Sequence, residues 1–176
     1  HGAGELDDFS HAVVAGKGLA EAGGKKQLAQ LCNHYYAKIE KLNIHTDWFT
    51  DKMPLDFRWT GYILSAIPEA RVIHVRRDAR ATCWSIYQHY FAGKENGFAY
   101  DLDDIVKYYR LYRDLMQFWE KLFPGKIYTL NYERLTEHPE QECRKVLDFL
   151  GLPWDERCLE FHVAGRAVNT ASSLQV

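Results

Sequence analysis

RVIHVRRDARATCWSIYQHY, residues 71–90, changes character halfway along. Val72, Ile73, His74 and Val75 form a short, mostly branched apolar run that reads as a buried strand. The run meets Arg76, Arg77, Asp78 and Arg80, and from Asp78 to Phe91 the pattern turns helical. In open α/β sheets ligands sit at the carboxyl ends of the strands, and a helix that starts there offers unpaired N–H groups and the positive end of its dipole. Asp78 is placed to cap that helix. Arg77, just before the cap, can hold an anion through two parallel hydrogen bonds, which a lysine cannot do. Thr82 and Ser85 share the helix face of Asp78. Arg77 to Ser85 covers about 12 Å of helix axis, a gap an arginine folding back could close on one phosphate. The competing reading is a solvated basic face held by surface ion pairs.

Working outward, the rest of the chain keeps alternating. Residues 2–19 predict a turn and then an amphipathic stretch around residues 9–14, and GKGLAEAGGKK (16–26) is a glycine-rich break. Residues 26–42 predict a helix, with Leu28, Leu31, Tyr35 and Ile39 near helical spacing. HTDWFTDKMP (45–54) reads as a short strand ending at Lys52 and stopped by Pro54, and residues 57–67 as a short helix closed by Pro68. AGKENGFAYD (92–101) reads as a polar loop. Residues 102–122 predict the longest helix, with Ile105, Tyr109, Tyr112, Met116 and Trp119 along one apolar face. That face reads as core; its alternative use is a homodimer contact. Residues 126–130 predict a strand, 136–150 a helix capped by Gly151, and 155–163 a short helix before a polar tail. Strand and helix in alternation indicate an α/β fold with a central parallel sheet flanked by helices, and residues 1–176 read as a single domain. Three convincing strands are few for such a sheet, which fits a further strand upstream of His1.

The composition narrows the function classes. A chain of 176 residues can bury a real core, and a net charge of −2 gives no electrostatic case for nucleic-acid binding. No run has the length of a membrane span, and no signal peptide is visible. Cys32, Cys83, Cys143 and Cys158 lie far apart, so buried free thiols in a reducing, cytoplasmic setting are expected rather than disulfides. Cys32 and His34 lack a second ligand pair, so no metal is expected. The chain starts at His1, inside no recognisable element, and reads as a piece of something longer.

VRRDARATCWS (75–85) resembles the 3′-phosphate motif of sulfotransferases that use 3′-phosphoadenosine 5′-phosphosulfate (PAPS): a strand, Arg-Asp-x-Arg, and a serine eight residues after the first arginine. Arg77 and Ser85 fall on the two phosphate-contacting positions. TDKMPLDF (50–57) resembles the family's Asn-Lys-x-Pro or Lys-x-Pro segment. This implies that Lys52 neutralises charge on the bridging phosphosulfate oxygen, where a fixed cation lowers the barrier. HGAGELDDF (1–9) resembles the Gly-Glu segment of tyrosylprotein sulfotransferases, which makes Glu5 the base that deprotonates the acceptor hydroxyl. NYERL (131–135) and DFLGL (148–152) resemble the segment that puts a tyrosine, here Tyr132, near the adenine. Phe149, Leu150 and Leu152 read as core. The tail RAVNTASSLQV (166–176) resembles a segment that brings a serine to the sulfuryl group, which implies Ser172 or Ser173 there, with Ser173 as the catalytic candidate and Ser172 as a nucleotide contact; the alternative is a serine-rich flexible end.

The resemblance is to bacterial sulfotransferases, often joined to tetratricopeptide repeats, that themselves resemble tyrosylprotein sulfotransferases. It implies a three-layer P-loop-type fold, PAPS as co-substrate and its desulfated form PAP as product, without a metal. The family's phosphosulfate loop, a strand–loop–helix near the start, is not visible. The chain is therefore expected to be truncated at its N-terminus, and at its C-terminus too, and inactive by itself. The acceptor stays open between a tyrosine peptide, a sugar and a small molecule. The loop 92–101 and the glycine-rich segment 16–25 are expected to border its site. Two other readings remain: a P-loop kinase, which needs Mg²⁺ ligands and a Walker lysine that are not visible, and a non-catalytic anion- or partner-binding domain of the same fold.

Overall fold

The computed structural model describes residues 2–4, 25–44, 46–91 and 94–160. They belong to two compact units. The first takes the described residues up to 74 together with 78–128, and the second takes 75–77 together with those from 129 on.

The first unit begins where the residues predict a turn. Gly2–Gly4 is instead a strand, β1, parallel to β2 (Thr50–Asp51), with Gly2 opposite Thr50 and Gly4 opposite Asp51. Glycines have little strand preference of their own, so the strand comes from a partner more than forty residues away. Helix α1 (Lys25–Lys41) follows its apolar spacing: Leu31, Tyr35 and Ile39 are buried one turn apart. They form a core with Ala66 and Ile67 at the end of α2 (Thr60–Ala66), which a 3-10 turn over Pro54–Arg58 leads into.

Helix α3 (Ala79–Gln88) ends three residues short of the predicted Phe91, with His89 already extended. The residues expected as a polar loop contain a 3-10 turn, Lys94–Tyr100, in which Ala99 is fully buried. Helix α4 (Leu102–Leu122) has its predicted limits. Ile105 and Met116 are buried, while Tyr109, Tyr112 and Trp119 are half-buried, so the apolar face serves the core. Trp119 lies on Gly61 of α2 so closely that a Cβ there would collide with the ring, and its indole N–H donates to the Phe57 carbonyl at 2.9 Å.

Strands β3 (Val72–Arg76) and β4 (Ile127–Asn131) are neighbours in a second two-stranded sheet, and the Val72 N–H donates to the Lys126 carbonyl at 3.0 Å. β3 is less enclosed than its composition predicts: Val72, Ile73 and His74 are half-buried and Val75 is exposed.

In the second unit, residues 132–150 do not form one late-starting helix. They form α5 (Tyr132–Glu137) and α6 (Pro139–Leu150), parted at His138, whose φ of −133° is not helical. Pro139 explains the break. It lacks the N–H a continuous helix needs and pushes the residue before it out of the helical region, yet it suits the first turn of a new helix. Gly151 closes α6 with φ +70°, the left-handed cap that favours glycine. Phe149, Leu150 and Leu152 are half-buried around it. The short helix expected at 155–163 is a 3-10 turn, Glu156–Leu159, as far as the described residues reach.

All four cysteines are free and half-buried rather than buried. Among the described residues no His, Cys, Asp and Glu cluster could hold a metal ion, and no helix is long and apolar enough to cross a membrane.

Candidate functional site

Helix α3 starts where its sequence says it should. Asp78 has non-helical dihedrals, and its carboxylate accepts from the Ala81 N–H at 2.9 Å. The Thr82 hydroxyl donates to the Asp78 carbonyl, also at 2.9 Å. The N-terminal turn of a ten-residue helix is thus locked beside the arginine run. Ser85 stands exposed on this helix, in the first unit.

Arg77 and Tyr132 both belong to the second unit, and they meet. The Arg77 guanidinium carbon lies 5.6 Å from the centre of the Tyr132 ring, within cation–π range. Tyr132 is the first residue of α5, and its start is set by Asn131, whose side-chain oxygen accepts from the Arg134 N–H at 2.8 Å. Both side chains are substantially exposed. Among the described residues none of Arg76, Arg77 and Arg80 is in an ion pair. Surface ion pairs therefore do not explain the arginine run. An exposed guanidinium against an aromatic face can take a phosphate edge-on while the ring stays open to a planar base.

The two short parallel strands lead to another predicted residue. Gly4 and Asp51 are opposite one another, and Lys52 follows Asp51 in the sequence. Lys52 is exposed. Asp51 beside it accepts the Tyr35 hydroxyl at 2.9 Å, and burial first, then the Asp51 charge, pushes the Tyr35 phenol up from its ordinary value. Glu5, Ser172 and Ser173 lie outside the described residues.

Two polar clusters have no counterpart in the sequence patterns. Inside the first unit, the His74 Nε2 on β3 is hydrogen-bonded to the Tyr112 hydroxyl, and its Nδ1 is 3.9 Å from Glu120 Oε1. In the second, Glu142 of α6 is buried, with 4% of its surface exposed. One of its carboxylate oxygens accepts from Lys145 Nζ at 2.7 Å and Arg134 Nε at 3.2 Å. The Lys145 hydrogen bond first, with Arg134 adding to it, holds the carboxyl below its usual range against the opposing pull of desolvation. The Glu142–Lys145 spacing is legible as a helical pair; the burial and the reach of Arg134 are tertiary facts.

A family model described as "Sulfotransferase family" matches residues 8–156. An uncharacterized protein of Aquifex aeolicus (strain VF5) is 41% identical over 154 residues, 86% of this chain and 20% of that protein. The protein-tyrosine sulfotransferase of Drosophila melanogaster is 29% identical over 157 residues, 80% of this chain and 29% of its own. Sulfotransferase 1A1 of Mus musculus is 28% identical over 114 residues, covering 57% of this chain and 39% of that protein. The chain thus spans between 20% and 39% of the length of these relatives. Among solved structures, the sulfotransferase domain from the curacin biosynthetic pathway superposes with a TM-score of 0.58 at 14% identity, over 97% of this chain and 67% of that one. At that identity the likeness is one of fold: α/β, of the P-loop-type sulfotransferase kind.

Proposed function

This chain belongs to the sulfotransferase family, and from that premise we propose that it moves a sulfuryl group from PAPS to an acceptor hydroxyl, leaving PAP. The observation that carries the reading is the Arg77–Tyr132 contact. It puts together two residue types a 3′-phosphorylated adenosine needs, a bidentate cation and a flat aromatic face. The exposed arginine run is unmatched by carboxylates among the described residues, which fits an anionic ligand.

PAPS supplies the activated sulfuryl group. The protein's part is binding, charge and one proton. Arg77, with Ser85, holds the 3′-phosphate, and Tyr132 with Ser172 contacts the rest of the nucleotide. Glu5 takes the proton of the acceptor hydroxyl as the oxygen bonds to sulfur. Lys52 offsets the charge that builds on the phosphate oxygen as its bond to sulfur breaks, and Ser173 donates a hydrogen bond to the transferring group. Only interactions stronger in the transition state than before it speed the transfer, so Lys52 and Glu5 belong to turnover and Arg77 to affinity. Residues 1–176 form one domain in this reading, and its four free thiols suit a reducing, cytoplasmic setting. The acceptor class we favour is a tyrosine hydroxyl in a peptide, on the likeness to the protein-tyrosine sulfotransferase; a sugar or small-molecule hydroxyl is the alternative.

The test is a calorimetric titration of the full-length protein with 3′,5′-ADP, using 5′-ADP as control. Tight binding that needs the 3′-phosphate and disappears in Arg77→Ala supports the reading. Equal binding of both nucleotides overturns it.

A further inference from the structure

We propose that Glu142 is a positioning residue for nucleotide recognition: it never touches the nucleotide, but through Arg134 it fixes the helix that carries Tyr132 beneath Arg77. The inference rests on the reading of Arg77 and Tyr132 as nucleotide contacts.

Every link lies within the second unit. A buried carboxylate is costly unless paired, and Glu142, at 4% exposure, is paired twice. Lys145 sits one turn along on the same helix and answers the charge locally. Arg134 comes from α5, across the break at His138. That reach matters because α5 has six residues, far too few to hold its own shape in water. The Asn131 cap ties its start, and the Arg134–Glu142 pair ties it to α6. Tyr132 opens this helix, two residues before Arg134, and its ring is where the Arg77 guanidinium rests. Loosening α5 from α6 therefore frees the ring and, with it, the preferred pose of the arginine. A binding group holds its geometry only as well as the residues behind it do.

The experiment reads the ratio of dissociation constants for 5′-ADP and 3′,5′-ADP in the full-length protein. Glu142→Gln keeps the side-chain shape and removes the charge. Glu140→Gln removes the same charge from the same helix, where it pairs with Arg144 at the exposed surface. The ratio should fall about threefold or more in Glu142→Gln and stay unchanged in Glu140→Gln. Arg134→Gln leaves Glu142 its Lys145 partner, so it tests the same link even where Glu142→Gln folds poorly; it should lower the ratio likewise. In a Tyr132→Ala background neither change should lower the ratio further. A wild-type ratio in both variants, or an equal loss with Tyr132 absent, overturns the positioning role alone. A wild-type protein without preference for the 3′-phosphate removes the nucleotide reading and this inference together.

Discussion

The guanidinium of Arg77, at the carboxyl end of β3, rests over the ring of Tyr132, the first residue after β4, at 5.6 Å. The two residues are fifty-five positions apart in the chain, and neighbouring strands deliver them to the same edge. A cation held against an aromatic face gains about 0.5–1 kcal/mol at an exposed site and keeps its N–H groups for another acceptor. Arg77→Ala should therefore weaken 3′,5′-ADP binding by about tenfold to a hundredfold, the worth of hydrogen bonds to a charged group, and leave 5′-ADP binding nearly unchanged. Arg77→Lys should recover part of the loss, since a lysine replaces the charge but not the fork. Calorimetry reads both, and an equal loss for the two nucleotides would show Arg77 to be structural.

The cap of α3 sets the second expectation. Asp78→Ala strips the Ala81 N–H of its partner and should cost about 1 kcal/mol, seen as a lower Tm. Asn or Ser at the position should restore most of it. A variant with unchanged Tm would mean that the helix start is held by something other than this side chain.

Gly61 is required by packing rather than by backbone conformation. Gly61→Ala drives a methyl into the Trp119 ring, and the ring cannot retreat without giving up its hydrogen bond to Phe57. Overpacking of this kind costs about 1–3 kcal/mol. Thermal unfolding, followed by tryptophan fluorescence, should show both the lower Tm and an altered Trp119 environment. Wild-type stability in Gly61→Ala would contradict the tight contact.

Tyr36 gives a dependence on alkaline pH. Its hydroxyl donates to Glu69 at 2.8 Å, and burial first, then that hydrogen bond, pushes its pKa up to about 12. An unfolded tyrosine titrates near 10. The folded state therefore holds the proton more tightly, and the stabilisation is complete below about pH 10 and lost as pH rises toward 12. Tyr36→Phe should be less stable than wild type at neutral pH, and the gap should close across that window. A gap constant with pH, in Tm measurements, would rule the linkage out.

How much of this was legible in the residues differs from element to element. The strand–Arg-Asp–helix junction is local chemistry, so β3, the Asp78 cap and α3 stand almost where composition puts them. Helix α4 does too, because a 21-residue amphipathic stripe leaves its period little choice. β1 was illegible, since three residues of Gly-Ala-Gly carry no strand pattern and become one by pairing with Thr50 and Asp51. The division between α5 and α6 could have been read from Pro139, whose effect on His138 is purely local. Arg77, Ser85, Lys52 and Tyr132 could be singled out as candidates because each stands at an element's end or in a short motif, and of these the structure brings Arg77 and Tyr132 into contact. Glu142 was not: it has the look of any surface glutamate on an acidic helix turn.

The sequence by itself determined β3, α3 and α4, the arginine run at a strand's end and the family, because hydrophobic period, capping chemistry and short motifs are written over a few adjacent residues. The tertiary structure alone decided that Arg77 meets Tyr132, that Trp119 closes on Gly61, and that Glu142 is buried with Arg134 in reach. Each of these depends on which surfaces of distant segments pack together, and burial and distance are properties of that packing rather than of any single residue.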